Sequence, residues 1–315
     1  MKSFIRALGR EAESRATALA TNRGGETATL YFGGGTPSML SDTHLGRLME
    51  TLDRLVPVDK LDEFSFEANP ATFTEKKVRF WRSLGMTRVS LGVQSLDSGI
   101  LHLLGREHTP AQALHSVEML KNAGMAHINM DLMFAIPGQT LSIWEATLKE
   151  AVRAGTDHIS AYNLTYEEDT EFFRSLLRGE KRQDPDEDAS FFELAEHMLE
   201  AAGMRHYETS NYAREGCLSP HNMAYWKGED YVGIGPGAVS TINGIRYSNT
   251  RDTDAYIRST LENGLPLSEQ EPVTEEDYRL ERIALMLRTD EGLPLKYILP
   301  ESRPLLGQYL SLIHI

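Results

Sequence analysis

The feature that most constrains this chain is the alternation of short apolar runs with stretches whose apolar residues recur at helical spacing. Each run ends in small or polar residues, and four amphipathic stretches separate the five runs. Parallel strands need a long crossover connection, which is usually a helix. The alternation therefore predicts an α/β fold with a parallel sheet, open or closed into a barrel. The predicted strands lie in residues 28–38, 63–70, 88–95, 127–138 and 158–168.

The pattern changes after Thr165. A charged segment leads into one more amphipathic stretch, and a short strand and a glycine-rich region follow it. Glycine supplies the backbone conformations that tight turns need, so the glycine-rich region is interpreted as a turn-rich hairpin. In chain order the predicted elements are a helix at 191–203, a strand at 206–213 and a hairpin at 230–249.

A domain boundary is predicted near residue 252, where helical spacing replaces the turn-rich pattern. Residues 1–251 are expected to form the barrel core with a β-rich extension. Residues 252–309 are expected to form a small helical C-terminal domain that is incomplete.

Both ends of the chain differ from what such a fold predicts. Residues 2–20 form a good helix ahead of the first predicted strand, whereas a βα barrel places a strand before that helix. We therefore expect the first barrel strand to be missing. The last six residues, 310–315, match one reading frame of a transposon-end sequence used in sequencing libraries. We interpret them as an assembly scar, so His314 carries no weight.

Charge and composition exclude several classes of protein. There are 32 Lys and Arg residues against 46 Asp and Glu residues, and the net charge of −14 argues against a non-specific nucleic-acid binder. No run of 18 apolar residues is present, so no segment is expected to span a membrane, and the first residues lack an apolar signal region. The single cysteine, Cys217, excludes an internal disulfide and a multi-cysteine metal site, and its default interpretation is an inert thiol. We expect a soluble, cytoplasmic protein.

Polar residues follow the first two predicted strands. Three glycines at 33–35 precede Thr36 and Pro37, and such a loop lets a ligand lie against bare backbone amides. The alternative is a tight turn without a ligand. Glu67 lies at the end of the second strand, where a buried carboxylate must be paired or used. An ion pair with Arg88 is the alternative there.

The next three strands also carry polar residues. Gln94 ends the third strand, where its amide suits a ribose or a carboxylate or is satisfied within the core. Strand alternation places Asn129 and Asp131 on one face of the fourth strand, which indicates either a ligand in the barrel lumen or a buried network. Thr165 follows the fifth strand. Because ligands of parallel βα folds bind at the carboxyl ends of the strands, the five ends together predict a binding site.

A second candidate site lies around His221, with Tyr225 and Trp226 close by and a glycine-rich segment after them. Such a cluster could hold a flat ring system, with the imidazole as an axial ligand to iron. A packed aromatic corner is the alternative. Arg106 is a candidate clamp for a carboxylate or phosphate, or else a solvated side chain.

The motifs, taken in order, resemble a known family. GGGTPS, EANP, SLGVQS, LLGREHT, INMDLMFAIPGQT, YNLT and HNMAYW are similar to the radical S-adenosylmethionine (SAM) family of oxygen-independent coproporphyrinogen III oxidases. HNMAYW and the following DYVGIGPGA favour its HemW branch, described as heme chaperones. The resemblance covers residues 2 to about 305. It implies a partial (β/α) TIM-like radical SAM barrel, here lacking its first strand, with a small helical C-terminal domain.

The resemblance also implies ligands and partners. SAM and heme are the implied ligands, and heme would pass to an acceptor protein. The implied SAM contacts are Gly34, Gly35 and Thr36 at the methionine end, and Glu67, Gln94, Arg106, Asp131 and Thr165 elsewhere. The implied tetrapyrrole contacts are His221, Asn222, Tyr225 and Trp226.

One departure from the family pattern concerns its cluster-binding cysteines. The family holds a [4Fe–4S] cluster with Cys-x3-Cys-x2-Cys in the loop after the first barrel strand, and this chain contains no such triplet. We expect the cluster only in a longer form of the protein. As written, the chain is expected to be inactive in radical chemistry, and no catalytic or metal-ligating residue is assigned to it.

Two other functions remain open on the sequence. The oxidase itself decarboxylates two propionates of coproporphyrinogen III, and its four-carboxylate substrate would need cationic groups, for which Arg106 and Arg205 are candidates. A non-radical barrel enzyme that uses the glycine loop for a phosphate is the third possibility.

Overall fold

The computed structural model of the chain describes residues 1–17, 28–165, 185–298 and 300. Three short 3₁₀ turns, at Pro37–Met39, Val58–Lys60 and Leu295–Tyr297, accompany the helices and strands. The helices are α1 (Lys2–Ser14), α2 (Asp42–Leu55), α3 (Glu75–Ser83), α4 (Ser98–Leu103), α5 (Pro110–Asn122), α6 (Leu141–Ala154), α7 (Pro185–Ala201), α8 (Pro220–Trp226), α9 (Thr253–Asn263) and α10 (Glu275–Met286). The strands are β1 (Thr29–Phe32), β2 (Glu63–Ala68), β3 (Arg88–Gln94), β4 (His127–Phe134), β5 (His158–Asn163), β6 (Arg205–Glu208), β7 (Asn211–Ala213), β8 (Val239–Ile242), β9 (Ile245–Asn249) and β10 (Ser268–Pro272).

The five predicted βα strands are confirmed, and they are the first five consecutive strands of a seven-stranded sheet. Its order is β1-β2-β3-β4-β5-β7-β6, with β1 to β5 mutually parallel. β7 pairs antiparallel with β5 and with β6, so the segment predicted as one strand forms a two-stranded hairpin. The parallel strands bring the carboxyl ends of β1 to β5 to one edge of the sheet, as the sequence pattern predicts.

The helices between the strands begin at capping side chains. Ser41, Thr74, Thr109 and Thr140 each accept a hydrogen bond from a backbone N–H in the first turn of α2, α3, α5 and α6. α6 ends at Gly155 in the left-handed conformation, and the backbone N–H of Gly155 donates to the Val152 carbonyl of the last turn. The apolar faces of these helices bury Leu45, Val78, Trp81, Val117, Trp144 and Leu148 against the sheet residues Phe64, Phe66, Leu91 and Met130.

A second, three-stranded antiparallel sheet has the order β10-β9-β8. The β8–β9 hairpin confirms the predicted turn-rich region, whereas β10 replaces part of a region in which only helices were predicted. Because β10 pairs with β9, and α9 packs on α1, contacts cross the boundary expected at 251/252. The division into domains stays a prediction.

Some predicted features lie outside the described residues. They are the end of the first helix at 18–20, the residues after Thr165 up to 184, most of the C-terminal stretch 299–309 and the scar expected at 310–315.

Candidate binding cavity at the carboxyl ends of the strands

A cavity of about 420 Å³ lies where the carboxyl ends of the parallel strands meet. This volume falls within the range of small-molecule sites. The residues that line the cavity come from β1 to β5 and from the segments that follow β1, β2 and α4. They are Tyr31, Gly35, Thr36, Pro37, Glu67, Ala68, Asn69, Ser90, Gly92, Gln94, Arg106, Asp131, Met133 and Tyr162.

The glycine loop after β1 forms one wall of the cavity. Gly34 and Gly35 have φ of 78° and 58°, a left-handed conformation that side chains disfavour. A Cβ at Gly33 would lie 2.4 Å from Cε1 of Tyr31 and 2.7 Å from Oε1 of Glu67. The loop therefore requires glycine for two reasons, backbone conformation and the close approach of Glu67.

Glu67 accepts hydrogen bonds from both the glycine loop and β1. Its Oε2 accepts a hydrogen bond from the backbone N–H of Gly34 at 3.0 Å, and its Oε1 accepts one from the Tyr31 hydroxyl at 2.5 Å. Burial, with the nearby Glu67 charge, raises the pKa of Tyr31 above its ordinary value, so the phenol stays a donor. The alternative ion pair between Glu67 and Arg88 is not formed. Arg88 pairs instead with Glu63, at 2.6 Å from Nε to Oε2.

Asp131 brings a second carboxylate to the cavity, held by a hydrogen-bond network. Its Oδ2 accepts from the Ser90 hydroxyl at 2.8 Å, and its Oδ1 accepts from Nδ2 of Asn129 at 2.7 Å. Burial raises the pKa of the Asp131 carboxyl to about 6 despite these donors. The sequence left a ligand and a buried network as alternatives for this face; the structure shows the network, with Asp131 also lining the cavity, and its contact with a ligand stays a prediction.

The network extends behind the cavity to a buried histidine. Nδ1 of His158 lies 2.6 Å from Oδ1 of Asn129, and its Nε2 lies 2.8 Å from the Tyr207 hydroxyl. Burial, aided by the Arg88 charge, lowers the pKa of His158 to about 3. A neutral ring in this position fixes the orientation of Asn129 and, through it, the Asp131 carboxylate.

Arg106 and Gln94 complete the polar lining. Gln94 has φ of 67° beside an irregularity in the β3–β4 register, which aims its side chain at the cavity. Burial lowers the pKa of Arg106, and the Asp131 charge opposes that shift. Within the described part of the chain, Arg106 is the one Lys or Arg that lines the cavity.

The structure thus brings together six of the eight residues that the resemblance assigns to SAM. A seventh residue, Gly34, does not line the cavity, but its backbone N–H donates to Glu67, which does. Thr165 is exposed and does not line the cavity. The six that line the cavity are Gly35, Thr36, Glu67, Gln94, Arg106 and Asp131.

Sequence reasoning missed Tyr31 and Ser90 as residues of the cavity. Ser90 shares a face of β3 with Gln94, and that alternation was the signal available for it. Tyr31 shares the face of Glu67 only through the β1–β2 register, in which it pairs with Ser65. Tyr162 was noted only as part of a polar strand end, and it too faces the cavity.

α8 places an aromatic cluster beside the cavity. The His221 ring stacks on Tyr31 with centroids 4.7 Å apart and planes 7° apart, and it meets Tyr225 edge-on with centroids 5.1 Å apart. Nδ1 of His221 lies 2.8 Å from the Thr29 hydroxyl. Burial lowers the pKa of His221, with the Glu63 charge opposing, so the ring is neutral near pH 7. Since Nδ1 is engaged, Nε2 is the nitrogen that could take a metal.

The other two residues of this motif point elsewhere. Asn222 hydrogen-bonds to Tyr207, and Trp226 hydrogen-bonds to Glu208 and lies 5.8 Å under the Arg288 guanidinium. Successive residues of a helix are rotated by about 100°, and residues four apart lie on the same side. His221 and Tyr225 therefore form one pair, and Asn222 and Trp226 form another on a different side of α8. His221 and Tyr225 form the pair next to the cavity.

Arg205, the second cation expected for a tetracarboxylate substrate, is an exposed partner of Asp290. It does not line the cavity. Among the described residues no helix is both long and apolar enough to cross a membrane.

Comparison with known proteins gives consistent matches. A family model described as the radical SAM superfamily matches residues 10–151. "Heme chaperone HemW" of Bacillus subtilis is 36% identical over 270 residues, which cover 85% of this chain and 71% of that protein. The protein of the same name from Lactococcus lactis is 37% identical over 232 residues, and the chain spans 61% of its length. The solved structure of coproporphyrinogen III oxidase (HemN) from Escherichia coli matches with a TM-score of 0.77 at 21% identity, over 92% of this chain and 69% of that chain, which supports the fold alone.

Proposed function

The chain belongs to the HemW family of the radical SAM superfamily, and from this premise we propose that it binds heme and SAM and delivers heme to an acceptor protein. The observation that carries the proposal is the position of a neutral, half-buried His221 beside a polar cavity of small-molecule size. The expected cytoplasmic location and the acceptor protein are parts of the proposal.

For SAM, the donors and charges of the cavity suit the ligand. SAM carries a carboxylate, an ammonium and a sulfonium group, and the cavity offers Arg106 for the first and Glu67 and Asp131 for the two cations. The proposed seat of the methionine end is the loop at Gly34, Gly35 and Thr36, with Gln94 as a further contact. The proposed contact through Thr165 rests on the family resemblance alone.

The residues of this chain do not fit a [4Fe–4S] cluster. Such a cluster needs three cysteine thiolates besides SAM, and the chain contains one cysteine, Cys217. Cys217 lies beside Asp157, at the amino ends of the strands, away from the cavity. No radical step is therefore assigned to this chain.

For heme, the proposed axial ligand is Nε2 of His221. Thr29 fixes the ring through Nδ1, and the rings of Tyr31 and Tyr225 pack against it. Neutral imidazole is the form that binds iron. Tyr225 faces the same side and is a proposed ring contact, whereas Asn222 and Trp226 are proposed to hold α8 against Tyr207 and Glu208.

Heme titration of the purified chain tests this proposal. We expect a saturable shift of the heme absorption bands, and we expect His221→Ala to weaken binding about tenfold or more because it removes the axial nitrogen. The matched control is His115→Ala, because His115 is an exposed histidine on α5 whose nearest charged partner is Glu118. Equal affinity of the His221 variant and the wild type would contradict the assignment. The absence of a saturable shift in the wild type would contradict heme binding itself.

SAM binding is expected to depend on pH through Asp131. The pKa of this carboxyl is raised to about 6 by burial, so it is protonated below pH 6 and ionised above it. Ionised Asp131 attracts a cationic ligand, and SAM affinity should rise as pH increases through 6, about tenfold between pH 5 and 7.5, or ~1.4 kcal/mol. Equilibrium dialysis with labelled SAM measures this dependence.

The matched variants for that measurement are Asp131→Asn and Asp53→Asn. Asp53 is an exposed aspartate on α2, and its variant should keep the wild-type pH profile. Asp131→Asn should give an affinity independent of pH over this range. A pH step that survives in Asp131→Asn would show that another group carries it.

A further inference from the structure

Three potential metal ligands converge at the edge of the sheet opposite the cavity. His127 begins β4, Asp157 precedes β5, and Cys217 lies in the segment between β7 and α8. All three are half-buried, and the His127 Nδ1, an Asp157 carboxylate oxygen and the Cys217 Sγ lie within 4.8 Å of one another. The proposed heme and SAM sites use none of these residues.

The three groups are already oriented toward one another. Nδ1 of His127 lies 2.7 Å from Oδ2 of Asp157, and Oδ1 of Asp157 accepts a hydrogen bond from the backbone N–H of Ile128 at 2.8 Å. The Cys217 thiol donates to the Glu215 carbonyl at 3.6 Å, and its sulfur lies within 4.8 Å of the Asp157 carboxylate. Two hydrogen bonds thus hold the Asp157 carboxylate in place, with the Cys217 sulfur close to it.

From this arrangement we propose that His127, Asp157 and Cys217 form a binding site for a divalent cation of the zinc class. One imidazole nitrogen, one carboxylate oxygen and one thiolate match the ligand set of Zn²⁺ and Co²⁺, whereas Mg²⁺ and Ca²⁺ select all-oxygen sites. Ligand bonds of about 2.0–2.3 Å place neighbouring tetrahedral ligands about 3.3–3.6 Å apart. The His127 Nδ1 and the Asp157 Oδ2, now 2.7 Å apart, would separate by roughly 0.6 Å, and the Cys217 Sγ, within 4.8 Å of both residues, would approach by at most about 1.5 Å. A water molecule would complete the fourth position.

The charges around the cluster set the conditions for binding. Burial and the Asp157 charge raise the pKa of the Cys217 thiol, while Arg88 and Arg214 oppose that shift. The cation has to displace the thiol proton, so its affinity rises with pH. Arg88 and Arg214 both act on Cys217, and the ion pair with Glu63 offsets the positive charge of Arg88.

A cation at this site would stabilise the segment before α8, the helix that carries His221. Arg88 already holds this segment by hydrogen bonds to the carbonyls of Cys217 and Leu218, immediately before α8. A cation bound to Cys217 would tie the same segment to β4 and β5. The folded protein then gains stability with cation concentration, since the unfolded chain lacks the preformed site.

Cobalt spectroscopy on the metal-free full chain tests the site. Since the chain has one cysteine, a thiolate-to-cobalt charge-transfer band can come only from Cys217. We expect this band to appear on titration with Co²⁺, to disappear on addition of Zn²⁺, and to be absent in Cys217→Ser. His127→Gln and Asp157→Asn should each weaken Co²⁺ binding about tenfold or more. Zn²⁺ should raise the thermal unfolding midpoint of the wild type.

The control is His115→Gln. His115 lies 3.6 Å from Glu118 on the exposed face of α5 and has no thiol near it, so this variant should bind Co²⁺ like the wild type. Far-ultraviolet circular dichroism confirms that each variant is folded before titration. The proposal is overturned if the wild type shows no band and no Zn²⁺-dependent thermal shift up to about 1 mM cation, the weak end of specific binding. A band of wild-type affinity that survives in both His127→Gln and Asp157→Asn would also overturn it.

Discussion

Replacing Arg88 with methionine is expected to lower the free energy of unfolding by about 3–5 kcal/mol, because it leaves Glu63 as a buried charge without its partner. The two side chains are 5% and 2% exposed, and Nε of Arg88 lies 2.6 Å from Oε2 of Glu63. The variant also loses the hydrogen bonds to the carbonyls of Cys217 and Leu218. Urea unfolding followed by circular dichroism measures the change.

Two comparisons make the Arg88 result interpretable. Arg79→Met removes an exposed ion pair with Glu75 on α3 and should change stability by about 0.5 kcal/mol or less. The double variant Glu63→Leu/Arg88→Met removes both charges and should be more stable than Arg88→Met alone. Equal stability of Arg88→Met and Arg79→Met would show that Glu63 finds another partner or takes up a proton.

Replacing Glu11 with alanine is the second large perturbation, with an expected cost of about 3–5 kcal/mol. Its carboxylate is fully buried between α1, β9 and α9. It accepts hydrogen bonds from Nε of Arg15 at 3.0 Å, Nδ2 of Asn249 at 2.9 Å and the Tyr256 hydroxyl at 2.7 Å, and from the backbone N–H of Gly235 at 3.0 Å. Truncation leaves Arg15 and three neutral donors without their acceptor.

Glu13, two residues later on α1, supplies the control. Its side chain is 44% exposed and lies 3.9 Å from Arg10, so Glu13→Ala should change stability by about 0.5 kcal/mol or less. Thermal and urea unfolding of the two variants should therefore differ widely. If the two variants had the same unfolding midpoint, the hydrogen bonds of Glu11 would add no net stability, because their gain would only balance the cost of burying the carboxylate.

The sequence predicted the strands and the polar edge of the sheet well because both depend on local pattern. Five apolar runs with helical stretches between them determine the parallel order, and alternation along β4 places Asn129 and Asp131 on one face. Once the strands are parallel, their carboxyl ends meet. Most residues of the cavity follow from that geometry.

Contacts that depend on register or on distant segments were not predictable in the same way. Arg88 had two acidic residues within reach on the same face of β2, Glu63 and Glu67. The register pairs Ser65 with Arg88 at the amino end of β3, so the amino-terminal Glu63 becomes the partner and Glu67 stays free for the cavity. Without the register, the choice between the two was open.

β10 and Tyr31 escaped prediction for two different physical reasons. β10 is a largely exposed strand of Ser, Glu, Gln and Pro, held by backbone pairing with β9 rather than by an apolar face. Tyr31 resembled an ordinary strand aromatic until α8 packed His221 against it, and these two residues are 190 positions apart in the chain. Local pattern carries no information about such a contact.

The burial of Glu11 also constrains the order in which the chain can fold during synthesis. Its acceptor role requires Gly235, Asn249 and Tyr256, which follow it by 224, 238 and 245 residues. At about 5–20 residues per second, a ribosome needs roughly 11–45 s to add the first of these partners after Glu11. During that interval the amphipathic face of α1 can pack against α2 while the Glu11 carboxylate remains hydrated. Docking of α1 with α9 is therefore a late step, and native contacts of such long sequence separation fold slowly.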